Sequence, residues 1–170
     1  MSNQPGSIYY RIIRLITLLE DGILVTLLSV MLSTAVLQIF LRNLFESGLS
    51  WADPMLRILV LWVGMVGAIL ASRENNHISM NILTHFLPAK VKRAVKVLVD
   101  IFTSLVSAII AYHSFKFVLS EYQVGTIAFA SVPSWLCESI IPAAFTIIAL
   151  RYLIFALWHS RMVVPAREVP

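Results

Sequence analysis

The chain has 170 residues, of which 59% are hydrophobic and 13% charged, and its mean hydropathy is +0.85. A soluble domain carries about 45–50% apolar and about 25% charged residues, so this composition excludes one. The net charge of +4 would point to nucleic acid in a soluble protein, but here the basic residues flank hydrophobic blocks and topology accounts for them.

Four blocks are long enough to cross a bilayer, which takes roughly 20 residues at 1.5 Å each. The first runs over about 22–44, behind a polar, aromatic lead that carries Tyr9, Tyr10, Arg11, Arg14, Glu20 and Asp21. It is too long for a signal-peptide core, and no small-residue cleavage site follows it. The second runs over about 54–72, the third over 94–119 and the fourth over 135–159. The expected fold is an all-α integral membrane domain of four transmembrane helices occupying residues 1–170, without an internal repeat.

The basic residues set an expected orientation. Arg11 and Arg14, then Arg73, Lys90, Lys92, Arg93 and Lys96, then Arg161 and Arg167 all fall on one side of a four-span topology. The other side carries only Arg42 and Lys116 near helix ends, with Arg57 in a first turn. The positive-inside rule puts both termini in the cytoplasm, with Trp51 and Trp135 at the outer interface and Trp158 at the inner one.

Between the second and third spans, Ile78, Ile82, Leu83, Phe86 and Leu87 recur at helical spacing among Asn76, Asn81 and His85. The stretch is too short and polar to span. A short interfacial amphipathic helix over about 76–87 is expected, ended by Pro88, with an irregular loop as the alternative.

Intramembrane charges are functional candidates by default. Counted along the helix, Asp100 lies roughly 8 Å and Arg151 roughly 11 Å from the cytoplasmic ends of their spans, so an Asp100–Arg151 ion pair is expected. Arg57 and Glu138 each lie about one turn from the outer ends, and a second pair is expected there. Such pairs either pin helices together or form an ion relay. A relay needs ionisable groups through mid-membrane, and the middles of all four blocks are apolar.

Asp53 before Pro54 reads as a helix N-cap with proline at the first helical position, or as a partner contact. Gly64, Gly67, Ala68 and Ala71 give the second span a small-residue face for close helix packing. Pro142 is expected to kink the fourth span unless neighbours re-satisfy its freed carbonyl. The histidines, His77, His85, His113 and His159, provide no pair at one membrane depth to hold a haem. Cys137 is the single cysteine, and no metal, phosphate-loop or catalytic-triad pattern occurs, so no enzyme, cofactor or metal site is expected.

The motifs resemble those of the small membrane subunit of tripartite ATP-independent periplasmic (TRAP) transporters. The resemblance starts at Gln38 through Arg42-Asn43 and continues with Trp51 and Asp53, then Arg57, then Gly64 and Gly67-Ala68. Ala71-Ser72-Arg73-Glu74 leads to His77-Ile78 and Leu87-Pro88. Pro133, Trp135, Pro142 and Ala149-Leu150-Arg151-Tyr152 complete it. The chain departs from the pattern at Pro54, where many members carry a second acid. The resemblance implies a bacterial inner-membrane scaffold subunit. Its partners would be a large membrane subunit that carries substrate and sodium, and a periplasmic binding protein that delivers an organic acid such as a C4-dicarboxylate or sialic acid. A membrane anchor of a redox complex is the rival reading; it predicts facing histidines or a quinone pocket.

Overall fold

The computed structural model describes residues 6–45, 49–74 and 89–161. Its long helices are α1 (Gly6–Phe45), α2 (Ala52–Glu74), α3 (Ala89–Val124) and α5 (Ile140–Arg161), the last preceded by a short α4 (Ser134–Glu138). A two-stranded hairpin, β1 (Ile127–Phe129) with β2 (Val132–Pro133), joins α3 to α4. Among the described residues, four segments are long and apolar enough to cross a membrane: Arg14–Phe45, Ala52–Arg73, Ala94–Val124 and Ser134–Trp158. Helices are the solution expected here, because hydrocarbon offers no water to unsatisfied backbone groups. The interfacial helix expected over 76–87, with His77 and His85, lies outside the described residues.

The helices run past the expected spans. α1 has 40 residues, about 60 Å of helix, roughly twice the thickness of a hydrocarbon core. It passes without interruption through the segment read from sequence as a polar lead, which contains helix-forming Leu, Ile, Arg and Glu and no proline. α3 likewise extends at both ends, to Ala89 and Val124.

The packing order is α1 on α2, α2 on α5, and α5 on α3, the last being the most extensive contact. The α3–α5 seam is made of small groups. Asp100, Ser104 and Ser107 are buried on α3 at spacings of four and three, and the Ser104 hydroxyl donates to the Ala149 carbonyl at 3.0 Å. In lipid, where apolar burial drives little, short side chains that let backbones approach and hydrogen-bond are what hold helices together. Against α2, α5 presents Ala144, Ile148 and Tyr152, which form a buried cluster with Ile69, flanked by Met65. None of the apolar window of α1 is buried within the chain.

The fourth span is interrupted between α4 and α5, at Ser139, three residues ahead of the expected kink residue Pro142. The offset follows from proline chemistry. Pro142 has no N–H for the carbonyl four residues back, that of Glu138, and its ring crowds that carbonyl. The break therefore opens one turn upstream of the proline. Beside the interruption, the Trp62 indole N–H on α2 donates to the Cys137 carbonyl at 2.9 Å. Trp62→Phe is expected to destabilise the chain by about 1 kcal/mol, the net worth of one buried hydrogen bond, measured by thermal unfolding in detergent.

The hairpin was not expected from sequence. α3 ends where the Gly125 amide donates to the Glu121 carbonyl while Gly125 turns left-handed at φ 71°. Ala130 and Ser131, with φ 41° and 73°, then make a two-residue turn of the primed kind that matches strand twist. The Thr126 hydroxyl bonds the Glu121 carboxylate, and Tyr122 meets Trp135 edge-on at 5.5 Å between centroids.

Candidate functional site

Polar side chains gather at the two ends of the bundle. At the end carrying Arg73, three helices converge on a charged network. Arg151 of α5 donates to the Ile69 carbonyl at 2.6 Å and to the Ser72 hydroxyl at 3.2 Å, both on α2, and forms a salt bridge with Glu20 of α1. Arg73 of α2 bridges Glu20 at 3.4 Å and Asp21 at 3.1 Å. Glu20 is therefore shared by two guanidinium groups, and its side chain is only 17% exposed. Two acids against two arginines leave the network neutral, which suits a partly buried site, where an uncompensated charge is costly.

This pairing differs from the sequence expectation. The salt bridge of Arg151 runs to Glu20 on α1 rather than to Asp100 on α3. The reason is the continuity of α1, which carries Glu20 to the level of Arg73 and Arg151, where the sequence reading had left it in a lead outside the span. Asp100 is buried, 3% exposed, on the α3 face that also bears Ser104 and Ser107. The signal for the network was present: Glu20-Asp21 and Arg73 flank adjacent spans on the same side with opposite charge.

The opposite end is held by Gln38. Its amide donates to the Leu49 carbonyl at 3.4 Å and lies 3.5 Å from an Asp53 carboxylate oxygen, while its own oxygen accepts from the Leu49 amide at 3.2 Å. One side chain thus braces the α1–α2 connection. α2 begins at Ala52, earlier than expected, so Trp51 rather than Asp53 stands at the cap position; its carbonyl accepts from the Met55 amide at 3.2 Å. Asp53 sits in the first turn, where a negative charge favours the helix N-terminus, and Pro54 still lies where its missing N–H does no harm.

Arg57 and Glu138 are not joined by an ion pair among the described residues. Arg57 is exposed on α2. Glu138, at the end of α4, keeps its Oε2 buried without a hydrogen-bond donor among the described residues. Arg42 is exposed near the end of α1. Lys116 lies over the Tyr112 ring on α3, 4.8 Å from its centroid. The small-residue face of α2 is not used for packing inside the chain. Gly64, Ala68 and Ala71 are exposed, Gly67 is half-buried, and a Cβ added at either glycine meets nothing within 4 Å. Close packing is instead the work of the serines of α3 and of Ala144 on α5. Among the described residues no group of three or more His, Cys, Asp or Glu side chains is placed to hold a metal ion.

The arrangement is one of polar clamps at the two ends, with the buried serines of α3 between them. Comparison with known proteins agrees with the motif pattern. A family model described as "Tripartite ATP-independent periplasmic transporters, DctQ component" matches residues 31–161. The chain is 31% identical to the ectoine TRAP transporter small permease protein TeaB of Halomonas elongata over 157 residues, 92% of this chain and 81% of that one. It is also 31% identical, over 75 residues and 44% of its length, to the sialic acid TRAP transporter permease protein SiaT of Haemophilus influenzae; the matched part is 12% of that much longer chain. The chain belongs to the DctQ family, the small membrane subunits of tripartite ATP-independent periplasmic transporters.

Proposed function

We propose that this chain is the scaffold subunit of a sodium-coupled uptake system for an organic acid in the bacterial inner membrane. It partners a large membrane subunit that carries substrate and ions, and a periplasmic binding protein that delivers the acid. Both termini lie in the cytoplasm, as the distribution of Lys and Arg supports. The 1–170 chain acts as one membrane domain.

The observation that carries this reading is where the charges sit. Glu20, Asp21, Arg73 and Arg151 neutralise one another at one end, Gln38 braces the other, and the spans between are predominantly apolar. Transport of a charged solute needs polar groups near the bilayer midplane, so the pathway belongs to a partner and this subunit provides the frame. Relatives named for ectoine and for sialic acid share this small-subunit sequence, which supports a specificity that resides in the other components.

The test is to tag the chain, purify it gently from native membranes and identify stoichiometric partners by mass spectrometry. A large polytopic membrane subunit is expected, with a periplasmic binding protein joining when substrate is present. Recovery with redox subunits and a haem absorbance band, or alone as a homo-oligomer, overturns the reading.

A further inference from the structure

We infer that the open face of α2, running through Asp53, Arg57, Val60, Gly64, Ala68 and Ala71, receives a transmembrane helix of the large membrane subunit, and that Arg57 meets an acidic side chain near the outer end of that helix. This rests on the scaffold reading above and adds which face of the frame is engaged and by what chemistry.

The six residues are all exposed and recur at spacings of four, three, four, four and three, a single helical face. Two features mark this face. The first is charge. Arg57 lies within the apolar span Ala52–Arg73, is exposed, and belongs to none of the ion pairs among the described residues. A charge inside an apolar span is costly, and a carboxylate on a neighbouring helix relieves that cost while fixing the register. The second is shape. Gly64 has open space around it, and with Ala68 and Ala71 it presents little apolar area to lipid, while allowing a helix backbone to approach closely.

α1 also exposes the small residues Gly22, Thr26, Ser29 and Ser33, but the rest of its uncovered surface and that of α3 are bulky and apolar. α1 presents Leu32, Val36, Leu37 and Phe40, and α3 presents Leu98, Phe102, Leu105 and Phe115, all more than half exposed. Those bulky apolar surfaces are satisfied by acyl chains. In SiaT, a related segment is part of a far longer permease polypeptide.

The experiment uses the full chain co-expressed with its large membrane subunit. A photo-reactive residue is placed at Ala68 and, for comparison, at Leu105 on α3. The Ala68 position is expected to give an adduct with the large subunit, identified by mass spectrometry, and Leu105 to give none. Arg57→Glu and Ala68→Leu are expected to lower recovery of the large subunit at least about tenfold, and Arg57→Gln by less. The variants' own yield and thermal stability stay at the parent level, because neither side chain packs inside the chain. An acid-to-arginine exchange in the crosslinked helix restores recovery with Arg57→Glu.

Full recovery with Arg57→Glu and Ala68→Leu, or a large-subunit adduct from Leu105 and only lipid at Ala68, overturns the inference and leaves the scaffold reading standing. If the parent chain recovers no large subunit at all, both fall.

Discussion

Replacement of Arg151 by methionine is expected to lower the stability of the chain by about 3 kcal/mol, since removing one partner of a largely buried ion pair strands the other. Arg151 gives up its salt bridge to Glu20 and its bonds to the Ile69 carbonyl and the Ser72 hydroxyl. The low end of the range for such losses applies because Arg73 remains 3.4 Å from Glu20 and keeps that carboxylate partly compensated. Glu20→Gln should cost less, as the guanidinium retains both contacts on α2. Replacing Glu20 and Arg151 together by methionine removes both charges at once, so the pair should recover much of the loss. Unfolding in mixed micelles over a titration of denaturing detergent reads all three variants. An Arg151→Met chain within about 0.5 kcal/mol of the parent, or a double variant as unstable as the sum of the singles, would show that the network does not hold the helices together.

How much of this was legible in the sequence differs between levels. The four spans were legible because hydrocarbon allows few alternatives: a long apolar block must be helical. The position of Gln38 as a motif residue was visible, but its role was not. That role depends on the α1–α2 connection folding back to place the Leu49 amide and carbonyl within reach of a residue eleven positions earlier. The partner of Arg151 was assigned by matching depths along α3 and α5. Depth along one axis does not say which helices touch, and hydropathy alone starts the first block at Gly22, leaving Glu20 outside it. Helix propensity has no such boundary, so α1 continues and brings Glu20 to the network. The hairpin was missed because its turn is Ala130-Ser131, which lacks the Asn-Gly or Asp-Gly pattern that usually announces left-handed turn residues. The seam of Ser104 and Ser107 was present at helical spacing with Asp100, yet the conspicuous glycines of α2 drew the packing assignment to the face that the chain leaves open.

Ala144 offers the second large effect. It is 0% exposed, at the contact of α5 with α2, where Ile69, Ile148 and Tyr152 close around it. Enlarging it to leucine forces extra volume into a seam that has none to give, and overpacking of this kind typically costs about 1–3 kcal/mol. In a bilayer the consequence extends beyond the site. Ile69 lies in that seam, and its carbonyl and Ser72 receive Arg151, so a displaced α2 stretches those bonds as well. Ala144→Leu and Arg151→Met should therefore combine to less than the sum of their separate effects, because the first already weakens what the second removes. Ala143→Leu, one position along on the exposed side of α5, should stay within about 0.5 kcal/mol of the parent. If the two leucine variants prove equally stable, α2 and α5 are not in close contact at Ala144, and the frame must be held by the charged network and the α3–α5 seam alone.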